Sequence, residues 1–411
     1  MKQTMRLLWQ KTETGEARLL RVYAETSEVI IPAFIPASNE PSGCACTSIR
    51  RLPRGSNTPQ LSCVTSLMPR QLAAGYLTEK YPVTEVGAYC FSASEHLEGK
   101  QFSITELPAE NAKRNIDVVH MIPKNKTEKF SKEEHISALR TAAGDNLVKL
   151  CLPDTVRIIH NAAFYNCRKL ESLAIGAGTA EIGSDVFTNC NALKKLHIRC
   201  QNYKAESAKS ILSRISTELE VYYYDCDETD DYYEEYNDEA WKRENLFASL
   251  LYPEYFETYD EIAPAHIFGR HIEGEGFRAR QCFKDGQILF AEYDKIFQKA
   301  KAEETTITIG RMCMHRLLFP IELTEEVRES YESFLKEHEK ETGTFFVKQK
   351  NKAALEYYFR NHLLSYAGID MLISCATDRK WSEGVSSMLH WKQQFYNNIP
   401  KNSYDFELDF D

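Results

Sequence analysis

Apolar residues recur with a period of 23 residues in the middle of the chain. Each copy reads L-x-x-L-x-(L/I), and its last part alternates apolar with polar residues, which predicts a half-buried strand. The recurring positions are Leu147, Leu150 and Leu152, then Leu170, Leu173 and Ile175, then Leu193, Leu196 and Ile198. The pattern therefore predicts one short strand in each copy, with the same face buried every time.

A second apolar signature lies ahead of the later strands and predicts a turn anchored by a phenylalanine. Its positions are Ile159, Phe164 and Cys167 in one copy and Ile182, Phe187 and Cys190 in the next. Upstream, "VTEVGAYCF" repeats it with Val86 and Phe91, and "EVIIPAFIP" repeats the strand and proline of "KLCLPDTV". Such a unit cannot cover its own apolar side, so we expect successive copies to stack.

These motifs resemble the BspA-type leucine-rich repeats, whose pattern is roughly I-P-x-x-V-x-x-I-G-x-x-A-F-x-x-C-x-x-L-x-x-L-x-I. "LPDTVRIIHNAAFYNCRKLESLAI" and "EIGSDVFTNCNALKKLHI" carry the resemblance, which is strong over residues 147–198 and fragmentary over 29–108. It implies a short, irregular solenoid of about four or five repeats within residues 1–224. The pattern lapses near 38–80 and 109–146, which predicts insertions there.

The chain changes character abruptly after the repeats. From Asp225 to Glu239 there are nine carboxylates and no basic residue, and such a block is usually a solvated linker. We predict an acidic, tyrosine-rich linker over residues 225–240. Partner docking and a calcium site are the alternatives, although the segment lacks the glycine and the terminal glutamate spacing of an EF-hand loop.

Residues 241–411 are predicted to be an all-α domain. "LTEEVRESYESFLKEHEK" begins with Thr324 as a helix N-cap, and "NKAALEYYFRNHLLSYAG" reads as a helix ended by Gly368. The last helix pair weakly resembles an ankyrin-like hairpin. The predicted fold class is therefore α+β: a short irregular leucine-rich repeat solenoid followed by an all-α helical-hairpin domain.

Composition and charge restrict the possible cellular locations and the classes of binding partner. A net charge of −10 and a pI near 5.7 argue against nucleic-acid binding. No apolar run approaches the roughly 20 residues that cross a bilayer, which predicts no membrane partner. The start, "MKQTMRLLWQKTETGEARLLRVYAE", reads as two strands around a turn and not as a signal peptide. Because the start does not read as a signal peptide, we expect the twelve cysteines to be reduced thiols, which predicts a cytoplasmic location.

Candidate chemistry is sparse, and we predict neither a cofactor nor a catalytic or metal site. Cys44, Cys46 and Cys63 match no zinc spacing well, so structural thiols are preferred over metal ligands. In "HIFGRHIEGEGFRARQCF" the glycines lack the context of a phosphate or dinucleotide loop. We predict a structural turn in which Arg278 and Arg280 pair with neighbouring carboxylates, with partner contact as the alternative.

The predicted function is a non-catalytic protein-protein interaction scaffold or adaptor. Its candidate partner contacts are Arg50, Arg51, Arg54, Tyr232, Tyr233, Tyr236, Arg278 and Arg280. The resemblance implies a bacterial protein and a partner in an AAA+ ATPase system of the MoxR type. The alternatives are a cell-surface adhesin, and an enzyme or metal-dependent effector that uses His266, His271, Cys282 or Cys313.

Overall fold

The computed structural model describes residues 4–24, 26–36, 49–51, 76–78, 80–92, 103–108, 146–226, 245–262 and 267–396. The chain divides into two compact units, Met1–Leu289 and Phe290–Asp411. Among the described residues, the first unit contains the strands and two short helices, and the second is helical.

Most strands of the first unit belong to two sheets. One sheet has the strand order β12-β10-β7-β2-β1-β8, with β4 also paired to β7, and the other has the order β15-β14-β13-β11-β9-β3. The strand bounds are β1 Thr4–Lys11, β2 Ala17–Ala24, β3 Glu28–Ile30, β4 Phe34–Pro36, β5 Ile49–Arg51, β6 Tyr76–Thr78, β7 Lys80–Val86, β8 Ser103–Pro108, β9 Lys149–Cys151, β10 Ile158–Ile159, β11 Ser172–Ile175, β12 Glu181–Ile182, β13 Lys195–Gln201, β14 Leu219–Cys226, β15 Leu246–Tyr252, β16 Phe256–Ile262, β17 Ile267–Glu273, β18 Phe283–Lys284 and β19 Gln287–Ile288.

The helices lie mainly in the second unit. Their bounds are α1 Ala208–Leu212, α2 Gly276–Ala279, α3 Phe290–Glu303, α4 Thr306–Leu318, α5 Glu325–Glu337, α6 Glu339–Lys348, α7 Lys352–Arg360, α8 Tyr366–Asp378 and α9 Ser382–Trp391, followed by a π-helical turn at Lys392–Tyr396. Within the described part of the chain, every helix is too short or too polar to cross a bilayer.

The predicted N-terminal hairpin is present. Strands β1 and β2 pair antiparallel, and Gly15 closes the turn with φ +87°, a conformation that glycine adopts at little cost. Strand β2 pairs parallel with β7 through Leu19 and Val86. The hairpin therefore covers the start of the repeat array.

The 23-residue period appears directly in the register of the second sheet. Strands β3, β9, β11, β13 and β14 run parallel. Val29, Leu150, Leu173, Leu196 and Val221 lie side by side across them, and all five are buried. "EVIIP" is thus a repeat strand, as its likeness to "KLCLP" predicts.

The second signature stacks in the same way. Val86 and Ile182 each pair with Ile159 in neighbouring strands. The rings of Phe91 and Phe164 lie 5.4 Å apart between centroids, and those of Phe164 and Phe187 lie 5.6 Å apart. All predicted repeat-core residues are buried: Val86, Phe91, Leu147, Leu150, Leu152, Ile159, Phe164, Cys167, Leu170, Leu173, Ile175, Ile182, Phe187, Cys190, Leu193, Leu196 and Ile198.

The prediction of an all-α domain from residue 241 is wrong for its first part. "LFASLLY" forms β15, which pairs antiparallel with β14 and completes the second sheet. The boundary between compact units lies at Leu289 and Phe290. The periodicity of a short apolar run fits a buried strand and a buried helix equally well. Here the run forms a strand because it pairs with the edge of β14.

In the second unit, α4 packs against α3, α5, α6 and α7. Thr324 caps α5 as predicted, since its side chain accepts a hydrogen bond from the Val327 amide. Gly368 does not end the preceding helix, which finishes at Arg360. It lies in the first turn of α8, where a Cβ would meet the Glu339 carboxylate at 2.7 Å. Its role is close packing.

Candidate functional site

The phenylalanine-anchored turns of successive repeats are joined by main-chain hydrogen bonds that share one direction. The N–H groups of one turn donate to the carbonyls of the next turn along the chain, at alternate residues. The bonds join Tyr89 N to Asn161 O (3.4 Å), Phe91 N to Ala163 O (2.9 Å), Ala162 N to Ser184 O (2.9 Å), Phe164 N to Val186 O (3.2 Å) and Asn166 N to Thr188 O (3.0 Å). We call this set the turn ladder.

Side chains reinforce the turn ladder. The Cys190 thiol donates to the Phe164 carbonyl at 3.1 Å, and the Cys167 thiol donates to the Phe91 carbonyl at 3.4 Å. The Asn189 amide group donates to Asn166 Oδ1 at 2.7 Å. These cysteines are buried and free of disulfides, so their role here is structural.

The first turn is closed by the N-terminal hairpin. The Val22 amide donates to the Cys90 carbonyl at 3.1 Å. The buried Arg21 guanidinium donates to the Tyr89 carbonyl at 2.7 Å and also to the Ser92 carbonyl. Burial lowers the pKa of Arg21 from its ordinary value. The carbonyls of Tyr89, Cys90 and Ser92 at this end of the turn ladder are therefore already satisfied.

The last turn, residues 185–193, lines an open cavity of about 360 Å³ together with residues 214–217. The next turn would begin at residue 208 by the 23-residue period, but the chain forms α1 there. Arg214 donates to the carbonyls of Ile182 and Gly183, at 2.8 Å each. The Arg214 guanidinium thus occupies carbonyls at the edge of β12, where another repeat would pair.

A second exposed feature is the ribbon, defined as β16 and β17. The two strands pair antiparallel from Phe256 with Glu273 to Ile262 with Ile267. Among the described residues they form a sheet of their own. Phe256, Tyr259 and Ile272 on this ribbon are 58%, 61% and 37% exposed.

One face of the ribbon is held in place by polar and aromatic contacts. Arg270 donates to Glu257 Oε1 at 2.6 Å and lies 5.1 Å from the centroid of the Phe277 ring. The Tyr259 hydroxyl donates to Glu257 Oε2 at 3.0 Å. The hydrogen bond from Arg270 lowers the pKa of Glu257, so the carboxylate stays charged and keeps Tyr259 in place.

The outward face of the second sheet carries an aromatic cluster. His197 stacks on Tyr222, with ring centroids 5.1 Å apart, and its Nδ1 lies 3.0 Å from the Tyr224 hydroxyl. Burial lowers the pKa of His197 to about 4. The imidazole is therefore neutral at physiological pH and unsuited to bind acidic groups as a cation.

Arg280 is predicted to pair with a neighbouring carboxylate, with partner contact as the alternative, and its burial contradicts the partner contact. Arg280 is fully buried and donates to main-chain carbonyls instead of reaching solvent. The acceptors are Ile215 (2.8 Å), Pro253 (2.6 Å), Gly276 (2.8 Å) and Thr217 (2.7 Å). Arg278 is exposed and pairs with the Glu275 carboxylate, the pairing that the sequence predicts for it.

Several other predicted contacts lie outside the described residues: Arg54, Tyr232, Tyr233 and Tyr236, as do the cysteines at 44, 46 and 63. Arg50 and Arg51 lie in β5, which pairs with β6, and only their main chain is described. The predicted insertions and the acidic linker fall mostly on the undescribed segments 37–48, 52–75, 109–145 and 227–244.

Of the four residues proposed for an enzymatic alternative, the structure describes Cys282, Cys313 and His271. Cys282 is buried in the first unit, and Cys313 is buried in the second, where burial raises its thiol pKa. His271 is exposed on the ribbon, and His266 is not described. Among the described residues, no group of three His, Cys, Asp or Glu side chains could hold a metal ion.

Sequence reasoning missed the ribbon and the two arginines that cap carbonyls at the ends of the array. The alternation in "FETYDEI" and "IFGRHIE" was the available signal for the ribbon. Arg21 and Arg214 carried no such signal, because their acceptors are distant in sequence.

Comparison with known families identifies the repeat region. Residues 141–216 match the family model described as BspA type Leucine rich repeat region (6 copies). Residues 141–216 are thus similar to BspA-type leucine-rich repeats, and the described C-terminal region of the chain is helical. Nothing matches in comparisons with curated proteins or with solved structures.

Proposed function

We propose that this chain is a non-catalytic scaffold that binds protein partners, and that the ribbon is a contact surface. The leucine-rich repeat region supports this, since such repeats generally serve protein-protein interaction or adhesion. The single observation that carries the proposal is the group of exposed apolar side chains on the ribbon, Phe256, Tyr259 and Ile272. Tyr259 and Ile272 lie on the face of the ribbon that carries Glu257 and Arg270, and Phe256 lies on the opposite face, because side chains alternate along a strand. Both faces therefore expose apolar side chains, and exposed apolar surface marks interaction sites.

The physical chemistry of the ribbon favours a protein as the ligand. Aromatic side chains contribute strongly to protein interfaces, because they bury a large area at a small cost in rotamer entropy. An exposed strand edge also offers main-chain donors and acceptors to another chain. Because Arg270, Glu257 and Phe277 hold one face of the ribbon, binding there needs little ordering.

The proposal includes two further contact surfaces and a cellular context. A short solenoid would present the outward face of the second sheet as a further surface, and the helical unit would dock a second partner through paired helices. We keep a bacterial, cytoplasmic location and an AAA+ ATPase system as the proposed context.

The test is a pull-down from native lysate with three full-length proteins. They are the wild-type chain, the triple variant Phe256→Thr, Tyr259→Thr and Ile272→Thr, and the control Leu389→Gln. Threonine keeps the strand propensity, and Leu389 is an apolar side chain that is 51% exposed outside the ribbon. Circular dichroism checks that all three are folded.

We expect proteins that the wild type and the control retain and the triple variant loses. An AAA+ ATPase among them would support the proposed context. Equal retention by the triple variant, or no specific retention by the wild type, would contradict the proposal.

A further inference from the structure

The turn ladder has two chemically different ends. At the first turn, the carbonyls are the groups left over, and Arg21 and Val22 satisfy them. At the last turn, the main-chain N–H groups are left over. By the period of the ladder these belong to Asp185, Phe187 and Asn189, the equivalents of Ala162, Phe164 and Asn166. Among the described residues, these three N–H groups have no hydrogen-bond acceptor.

The residues that carry these donors also line the open cavity of about 360 Å³. Thr217 also lines this cavity, and its hydroxyl is buried without a hydrogen-bond partner in the described part of the chain. A buried polar group without a partner costs about 1–3 kcal/mol. The unmet N–H donors along the cavity favour a ligand that supplies acceptors.

The spacing of the donors indicates what that ligand is. Within the array, donors at alternate residues meet carbonyls at alternate residues, namely those of Ser184, Val186 and Thr188. These carbonyls belong to a turn in which Asp185 and Asn189 have positive φ, so a ligand with the same turn presents carbonyls at this spacing. A compact anion would bridge adjacent donors but not follow a row of them.

A second copy of this chain is a poor candidate for the ligand. By the period, the matching acceptors in a copy include the carbonyls of Cys90 and Ser92 in its first turn, which already accept from Val22 and Arg21. The adjacent edge of β12 is likewise occupied, because Arg214 donates to its carbonyls. The open donors are therefore confined to the last turn.

From these observations we infer that the last turn is a docking site for a segment of a protein partner that forms the same kind of turn, whose main-chain carbonyls accept from Asp185, Phe187 and Asn189. This inference rests on the proposed function, since it names a second surface for a protein partner. Asn189 Oδ1 adds an acceptor at the end of the row, because its own NH₂ group already donates to Asn166.

The test uses the full-length protein, labelled with ¹⁵N and deuterium, and two synthetic peptides. The probe has the sequence of residues 182–194 with Cys190→Ser, because the carbonyls of this segment accept from the preceding turn in the intact chain. The control peptide has the same composition in scrambled order. Amide chemical shifts are followed during each titration, and inorganic phosphate is titrated separately.

We expect the probe to shift the amides of Asp185, Phe187 and Asn189 and to leave those of Ala162, Phe164 and Asn166 in place. Asn191→Trp, which fills the mouth of the cavity, should weaken the binding by at least about tenfold. Arg168→Trp is the matched control, since Arg168 is exposed at the equivalent position one repeat earlier.

Three results would overturn the inference. The first is no shift with the probe at millimolar concentration. The second is equal binding of the scrambled peptide or of the probe to the Asn191→Trp variant. The third is an equal shift with phosphate, which would indicate an anion site. Each of these would leave the ribbon experiment unaffected, because that experiment uses native partners and another surface.

Discussion

Two arginines in "GFRARQCF" differ in their surroundings although they are two residues apart. Arg278 is exposed, and Arg280 is fully buried among the main-chain carbonyls of Ile215, Thr217 and Pro253. A buried guanidinium is stable only when its donors are paired. Arg280 therefore joins segments that are distant in sequence.

Replacing Arg280 should be costly. Arg280→Met removes the charged donors and leaves several buried carbonyls without partners, so we expect a loss of about 3 kcal/mol in the free energy of unfolding. Urea unfolding measures this. The control Arg168→Met, at an exposed position, should change the free energy by less than about 0.5 kcal/mol. Similar values for both variants would show that Arg280 is not a structural link.

His197 gives a pH-dependent prediction. Burial holds the pKa of the folded imidazole near 4, against 6.5 in its ordinary state. The unfolded chain therefore binds a proton first as the pH falls, and stability decreases between pH 6.5 and 4. At pH 5 this amounts to roughly 2 kcal/mol.

His197→Gln should remove this part of the pH dependence. Urea unfolding of both proteins at pH 7 and pH 5 measures it, and the wild type is expected to lose roughly 2 kcal/mol more than the variant between the two pH values. Parallel losses would mean that His197 titrates normally in the folded protein.

At the level of elements, the strands and phenylalanine turns follow from the 23-residue pattern, because every copy buries the same positions. The pairing that the pattern predicts is found from β3 to β13. The end of the array was not predictable, since α1 replaces the next turn and Arg214 replaces its amides as donor to Ile182.

Hydrogen exchange should report the turn ladder. The amides of Ala162, Phe164 and Asn166 donate within it, and the equivalent amides one repeat later have no acceptor in the described part of the chain. We expect the first set to exchange at least about 100-fold more slowly in the free full-length protein. Equal protection of both sets would show that another group accepts from the last turn.

For the whole molecule, the position of the boundary between units is the main correction. Strand β15 covers the edge of β14, and Arg280 ties residue 253 to residues 215 and 217. The segment 245–289 therefore belongs with the repeats and not with the helices.

Truncation at the two boundaries should give different results. Fragment 1–289 keeps β15 and Arg280, and we expect a soluble, cooperatively unfolding protein. Fragment 1–240 loses both and exposes the β14 edge, which favours aggregation. Size-exclusion chromatography and thermal unfolding by circular dichroism distinguish them, and a well-behaved 1–240 fragment would contradict the corrected boundary.

The sequence by itself determined the repeat strands, the phenylalanine stack and the Thr324 cap, because each depends on neighbours at a fixed spacing or within one helical turn. Only the tertiary structure decided that "LFASLLY" forms a strand, that Arg280 is buried and that Gly368 serves close packing. These depend on groups far away in the chain: the open edge of β14, the carbonyls near residue 215 and the carboxylate of Glu339. Local periodicity carries no information about such distant partners. The end of the repeat array and the boundary between the two units therefore follow only from the tertiary structure.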